Sequence, residues 1–461
     1  MVHEPRAEEL KPDTVLQDRF DQGHHVTRLA RERFPGATLI PPGPERARAE
    51  ATRLALDFGA PVVVEAAFLA NGVFAAADML VRGGDGLTLI EVKASSRVKD
   101  EHVPDVAVQV WAARQSGVDV RRAEVMHLNK EFRHPVTGDL FARTDVTREV
   151  EAFQPEVPPL ITRLERTLAG PLPDVAIGLQ CYEPRQCAFH GRCWPDDQWH
   201  IAMLYSTGPK GIDRYLKRGV YSIRDLPADD KLPPAALRQI EALETGRMIV
   251  EPGLKAALRG ALGDARLGFL DFETINRAVP VWDGLGPWAP AVVQFSYHEE
   301  AVPGYTHRAY LAEGPHDPRP DLAERMLEVT AGAERIVMYS SFERSRINEL
   351  AAQLPALSAD LRALSAKLVD LLPIVRNHVY HPEFNGSFSL KYILTPLVPD
   401  LTYSDLAIVD GQVASVEIAR LLFVAQLVEE RDQLRRDLLA YCERDTWAMV
   451  RLVERLRELG G

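Results

Sequence analysis

The stretch Gly268-Phe269-Leu270-Asp271-Phe272-Glu273-Thr274 sets the reading of the chain. An apolar run ends in two carboxylates separated by one residue. In an extended strand alternate side chains share a face, so Asp271 and Glu273 point the same way and Phe272 turns into the core. Like charges held that close repel, and a cation between them makes the arrangement favourable. The pattern reads either as a divalent-metal site at the start of a domain or as a solvated acidic strand face. The surrounding sequence separates the two.

At 461 residues the chain has room for two or three domains, taking roughly 150 residues for each. Its apolar fraction of 46% and charged fraction of 26% place it with ordinary globular proteins. No uninterrupted apolar run reaches the ~20 residues that span a bilayer. Met1-Val2-His3-Glu4 opens no signal peptide, so a cytoplasmic location is expected. A net charge of -12 is weak evidence against a nucleic-acid binder, although local basic patches can still hold phosphates.

From Leu267 onward, strands are expected at 267–274, 292–298 and 306–311, a helix at 321–330 and a strand at 335–340. Helices then dominate, with the last two over 416–430 and 431–458. Strands first and helices after suggest an α/β domain with a mixed sheet. Two further acid-bearing stretches follow, Val337-Met338-Tyr339-Ser340-Ser341-Phe342-Glu343 and Tyr441-Cys442-Glu443-Arg444-Asp445. Tyr441 and Asp445 are four apart on a helix and so share a face. In this order the three stretches resemble the DnaQ-like 3′–5′ exonucleases of the DEDDy type, which have an RNase H-like fold. The resemblance implies that Asp271, Glu273, Glu343 and Asp445 bind metal and that Tyr441 orients the attacking water. Glu343 departs from the family, which has Asp there, one methylene shorter. Asp370, in Leu368-Val369-Asp370-Leu371-Leu372, is an alternative acid. Ser387, Ser389 and Lys391 stand at a helix start, where they either meet a phosphate or cap the helix.

The first half reads as helix 14–34, strands 61–66, 73–81 and 87–93, helix 105–116 and strand 123–129. Gly83-Gly84-Asp85-Gly86 turns a hairpin between the second and third strands. Glu91 and Lys93 share a strand face, and Asp78 joins them from the neighbouring strand. Two carboxylates and the Val92 carbonyl can hold magnesium or manganese, while Lys93 orients water and stabilises phosphate charge. This set resembles the PD-(D/E)XK nucleases, and within them the RecB-like group that includes the CRISPR-associated RecB-like exonucleases. The resemblance implies Glu65 as an additional acidic ligand and Gln109 as the group's glutamine. The group often carries Gly-x-x-x-His on its first helix. Here Gly23-His24-His25-Val26-Thr27 puts Thr at that place, so either His24 or His25 substitutes or the contact is absent.

Three of the four cysteines, Cys181, Cys187 and Cys193, crowd into one short segment. In a cytosolic protein such crowding reads as metal binding before disulfide. The group resembles the iron–sulfur staple of the RecB-like exonucleases, which implies a [4Fe-4S] cluster. In those enzymes a fourth cysteine precedes the core, whereas here none precedes Cys181. The fourth ligand is then another residue, such as His190 or His24, or lies upstream of the given start. A zinc site and free thiols are the alternatives. Cys442 reads as a buried small side chain. Between the cysteines and Leu267, short helices broken by Gly and Pro read either as a spacer or, at Gly211–Gly219, as a module set against a DNA backbone.

The expected architecture is α/β throughout: a restriction-endonuclease-like PD-(D/E)XK domain over 1–200, a helical connector over 201–262 and an RNase H-like exonuclease domain over 263–461. The pairing resembles an uncharacterised bacterial family that fuses a RecB-like nuclease to a DnaQ-like exonuclease. It implies a metal-dependent DNA nuclease, exonucleolytic, with two magnesium or manganese sites, acting in repair, recombination or defence. The alternatives are a nucleic-acid-binding scaffold with a degenerate exonuclease domain, and an RNA-processing nuclease. The expected partner is nucleic acid, DNA rather than RNA, and no membrane.

Overall fold

A computed structural model of the chain describes residues 6–135 and 137–461. The chain is mixed α/β and divides into two compact units, Met1–Val175 with Asn276–Ala289, and Ala176–Ile275 with Pro290–Gly461. No described helix is long and apolar enough to cross a membrane.

The first unit runs α1 (Thr14–Arg31), β1 (Thr38–Leu39), α2 (Glu45–Asp57), β2 (Val62–Ala70), β3 (Val73–Gly83), β4 (Gly86–Lys93), α3 (His102–Gln115), β5 (Val120–Leu128), β6 (Phe141–Asp145), α4 (Thr147–Phe153) and α5 (Val157–Ala169). Its strands form one sheet in sequence order, β1 to β6. β1 with β2 and β4 with β5 are parallel, and the remaining neighbours are antiparallel. A parallel pair needs a crossover, and α3 supplies it between β4 and β5. Both faces of the sheet are covered, which explains strands that are apolar nearly throughout. Val64, Met79, Ile90 and Met126 pack with Val26 and Ala30 of α1. Val63, Leu80, Leu89 and Val125 pack with Val106, Ala107 and Val110 of α3. The alternation breaks at Glu65, whose φ of 58° lies in the left-handed region. The register pairs Val64 with Met79 and Ala66 with Ala77, so Glu65 falls opposite Asp78 at the break. Residues 276–289 are anchored in this unit, where Arg277 pairs with Asp18 at 2.8 Å and the Ala278 amide donates to Gln22.

The second unit runs α6 (His190–Cys193), α7 (Pro209–Lys217), α8 (Pro234–Thr245), β7 (Ile249–Val250), α9 (Leu254–Leu262), β8 (Leu267–Asn276), β9 (Pro290–Glu300), β10 (Tyr305–Leu311), α10 (Arg319–Val329), β11 (Arg335–Met338), α11 (Phe342–Gln353), α12 (Ser358–Lys367), β12 (Leu368–Asp370), α13 (Leu372–His378), β13 (Val379–Tyr380), α14 (Leu390–Leu397), α15 (Gly411–Phe423) and α16 (Val428–Gly460). The main sheet has the order β10-β9-β8-β11-β12. β10 and β9 are antiparallel, whereas β11 is parallel to both β8 and β12, so the sheet is mixed. β8 alternates as its sequence requires. Leu270 and Phe272 pack with Met326, Ile347 and Leu361 of α10, α11 and α12. Leu267 and Phe269 pack on the other side with Leu258, Ile393, Met449 and Leu452 of α9, α14 and α16. Asp271 and Glu273 continue this second face, toward α14 and α16.

The segmentation differs from the expected 1–200, 201–262 and 263–461. The segment expected as a connector supplies Ala235, Ala242, Leu254, Leu258 and Leu262 to the same core as Phe269 and Met449. Its helices carry apolar stripes that have to be buried, and they bury them in the second unit. The cysteine segment groups with that unit too. The helix break expected at 430 lies instead at 424–427, and α15 starts earlier than expected, at Gly411, where Asp410 accepts from the Gln412 and Val413 amides. β1, β6, β7, β12 and β13 were not anticipated; all are short, and pairing rather than propensity makes them strands.

Candidate active sites

β8 and α16 together build the tighter site. Ligating oxygens of Asp271, Glu273 and Asp445 all lie within 4.8 Å of one another. Asp271 and Glu273 arrive by strand alternation. Asp445 arrives with Tyr441, one turn away on the same face of α16. Glu273 and Asp445 are buried. Burial pushes the Asp271 carboxyl well above its ordinary range, and the charges of Asp445, Glu343 and Glu273 add to that. Glu273 is pushed up likewise, by burial and then by Asp445, against the opposing charge of Lys391. Burial lifts Asp445 to about 6, while a hydrogen bond from Tyr403 and the charge of Lys391 act against the rise. These acids share one small volume with too little positive charge, which is the electrostatic condition a divalent cation relieves.

Glu343 opens α11 beside this group but does not join the set within 4.8 Å. Its carboxyl is pushed up to about 8, by burial first and then by Asp370 and Asp445. Its Oε2 is buried and makes no hydrogen bond. An orphaned buried carboxylate oxygen and an all-oxygen donor set fit a hard cation such as magnesium or manganese. Asp370, the alternative acid, is already engaged: its Oδ1 accepts from the Ser340 amide at 3.1 Å and the Leu372 amide at 3.0 Å. Asp370 therefore holds the turn before α11, where Ser340 sits at φ 94°. Such a conformation costs a non-glycine residue about 1–3 kcal/mol and persists only when its surroundings enforce it.

Three groups at this site escaped the sequence reading or were given another role there. Tyr403 donates its hydroxyl to Asp445. Cys442, read as packing, is buried and directs its thiol to Asp271 Oδ2 at 3.6 Å. Lys391, read as a phosphate contact, donates to the Tyr441 hydroxyl at 2.9 Å. The site opens into a cleft of about 600 Å³ lined by Asp271, Asp445, Lys391, Arg376, Ser389 and the rings of Tyr205, Tyr339 and Phe388. Ser389 is the N-cap residue of α14, yet its side chain makes no capping bond. Ser387 lies outside the lining and accepts from the Ser389 amide at 3.2 Å.

In the first unit, β3, β4 and α3 gather a second set. The Asp78 carboxylate accepts from the Val92 amide at 2.8 Å. Glu91 accepts from Lys93 at 2.8 Å and from the Gln109 side chain at 3.0 Å. Burial, then the charge of Glu91, pushes Asp78 up to about 7. Burial also raises Glu91, with Lys93 opposing. For Lys93, burial acts downward, but the Glu91 and Asp105 carboxylates outweigh it and hold the amine raised and charged. Asp105 pairs with Lys93 at 2.6 Å and was missed, although it stands four residues before Gln109 on α3. Glu65, expected as a further ligand, is held by Arg31 and by Arg48 at 3.0 Å. Both guanidiniums compete with a cation for its oxygens. His24 and His25 are exposed on α1.

Cys181 is half-buried, and Cys187 and Cys193 are exposed; none is in a disulfide. Backbone turns link the segment, with the Cys187 amide donating to Cys181 and the His190 amide to Cys187. Among the described residues these thiols and His190 do not gather within 4.8 Å as a single-ion site. As placed they do not fit one zinc ion; a cluster spreads its thiolates wider than a single ion does. The His190 Nε2 atom is buried with no hydrogen-bond partner.

A family model described as a domain of unknown function, DUF2779, matches residues 268–389. The match takes in Asp271, Glu273 and Glu343 and stops short of Tyr441 and Asp445. Neither the curated proteins nor the solved structures yield a match.

Proposed function

We propose that the chain is a metal-dependent phosphodiesterase acting on nucleic acid, DNA rather than RNA, in repair, recombination or defence. In this reading the second unit is a DnaQ-like exonuclease of RNase H-like fold, and the first is a RecB-like PD-(D/E)XK nuclease. The observation that carries it is the convergence of Asp271, Glu273 and Asp445 within 4.8 Å at the mouth of a cleft that also holds Lys391 and Arg376.

Asp271, Glu273 and Asp445 would hold magnesium or manganese, with Glu343 beside them. Bound there, the cations would supply positive charge to the attacking and leaving oxygens of an in-line displacement. The chain's own residues do the rest. Lys391 and Arg376 neutralise the phosphates that enter the cleft. Tyr205 and Tyr339 offer partly exposed rings on which bases stack without regard to sequence. Tyr441 stays protonated, because burial and the neighbouring acids raise its hydroxyl. Lys391 donates to that oxygen and the Tyr441 hydroxyl bonds Asp445; with a cation on Asp445, that proton would be released to orient a water toward the phosphorus. In the first unit, Asp78 and Glu91 are the acid pair, and Lys93 is the cation that faces a scissile phosphate. Gln109 and Asp105 fix Glu91 and Lys93 in place.

One observation favours a second reading, a nucleic-acid-binding scaffold: Glu343 stays outside the tight group and is neutral at physiological pH if its carboxyl titrates near 8. Manganese-dependent digestion of end-labelled single-stranded DNA separates the two. Wild type is compared with Glu91→Ala, Asp271→Ala and the double variant. Each single change is expected to remove one component of cleavage and the double change all of it. Cleavage that survives the double change overturns both assignments. DNA binding without cleavage by wild type selects the scaffold. The same assay on RNA decides the substrate class.

A further inference from the structure

Two residues before Asp445, on a different face of α16, Glu443 stands over the edge of the main sheet. There β9 and β10 pair His298 directly with His307. Paired residues of an antiparallel ladder share a face, and the two rings lie 4.5 Å apart. His298, His307 and Glu443 each offer a ligating atom within 4.8 Å of the others.

The hydroxyls around them support one self-consistent arrangement of the ring protons. The Thr446 hydroxyl donates to the Glu443 carbonyl at 3.0 Å. A hydroxyl has one proton to give. Thr446 therefore accepts from the Ser296 hydroxyl at 2.7 Å and from His298 Nδ1 at 2.8 Å. Ser296 has then spent its own proton and accepts from His307 Nε2 at 3.0 Å. With the Thr446 proton on that carbonyl, the network puts a proton on His298 Nδ1 and on His307 Nε2. His298 keeps a lone pair on Nε2, and His307 keeps one on Nδ1. The His307 Nδ1 lone pair faces Glu443 Oε1 at 3.6 Å. A lone pair aimed at a carboxylate is repelled unless a positive species lies between them.

We propose that His298 Nε2, His307 Nδ1 and a Glu443 carboxylate oxygen form a binding site for a divalent transition cation of the zinc type. Two imidazoles and one carboxylate suit zinc rather than magnesium. Bond lengths of about 2.0–2.2 Å at a tetrahedral angle put a nitrogen and an oxygen ligand about 3.4 Å apart, close to the 3.6 Å between His307 and Glu443. Ligating histidines commonly hydrogen-bond their second nitrogen, which fixes the ring; Thr446 and Ser296 do so here. Three protein ligands leave one position for water. The cation would tie β9 and β10 to α16, and its site shares no ligand with the Asp271 group, so it stands or falls separately from the proposed nuclease activity.

Cobalt, which reports its coordination in the visible spectrum, is titrated into the metal-free full-length chain carrying Cys187→Ser and Cys193→Ser, so that those thiols do not compete. His307→Gln and Glu443→Gln are then added singly. Both positions are partly exposed, so neither replacement empties the core; circular dichroism checks the fold. The expected result is a nitrogen-ligated cobalt site, distinct from any cobalt taken up by the carboxylate sites, weakened at least about tenfold by either change and retained by Asp271→Asn. Equal cobalt affinity in all these chains overturns the proposal, as does no binding by the parent, which would mean that a proton fills the gap.

Discussion

The burial of Asp445 has a measurable cost when no metal is present. Asp445 titrates at about 6 in the folded chain, against an ordinary value of 3.8. The folded state thus binds this proton more readily than the unfolded chain does. Its contribution to stability is fullest below about pH 4 and falls away as pH rises through about 6. The rise corresponds to about 3 kcal/mol of destabilisation above that range. Asp445→Asn removes the charge but keeps an acceptor for Tyr403. Weakening that bond gives back about 1 kcal/mol, leaving a net gain of about 2 kcal/mol at pH 8. At roughly 2–4 °C per kcal/mol, the transition of the second unit should rise by about 4–8 °C. The assay is thermal unfolding in a chelator at pH 8 and pH 5. At pH 5 wild-type Asp445 is mostly protonated, so the advantage of Asn should largely vanish. Manganese should reverse the order at pH 8, since it stabilises wild type and has lost a ligand in the variant. An Asn variant less stable than wild type in chelator at pH 8, or equally favoured at both pH values, refutes the reasoning.

Lys93→Met in an Asp271→Ala background should lower the remaining cleavage by about a hundredfold or more, with DNA affinity reduced far less; gel assays under single-turnover conditions read both. Protein purified without air, from a gene that includes any upstream codons, should be brown and contain about four irons per chain, and Cys187→Ser should abolish both the colour and the iron. Gly386→Ala should destabilise the second unit by at least about 1 kcal/mol in denaturant unfolding. Its φ is +72°, and an added Cβ would meet the Met203 carbonyl oxygen at 1.9 Å.

Local periodicity made half of each site legible. Strand alternation put Asp271 with Glu273 and Glu91 with Lys93, and helix spacing put Tyr441 with Asp445. What escaped has no local signal. Tyr403 reaches Asp445 from a loop, and Lys391 reaches Tyr441 from α14. Arg31 and Arg48 come from two helices to occupy Glu65, and only the folded register shows that the pleat breaks there. The unit boundary was hidden for a related reason. Broken helices over 201–262 look like a spacer, and only the core they share with Phe269 reveals where they belong. His298 and His307 lie on strands the sequence does mark, but their pairing depends on register, which a sequence leaves open.

The central claim is that Asp271, Glu273 and Asp445 cage a divalent cation. Anomalous diffraction from crystals grown with manganese tests it most directly. The account predicts a strong peak bonded to oxygens of all three residues, with Glu343 in or beside its shell, and loss of that peak in Asp271→Ala. Well-ordered crystals at saturating manganese with no peak among these three carboxylates would contradict it.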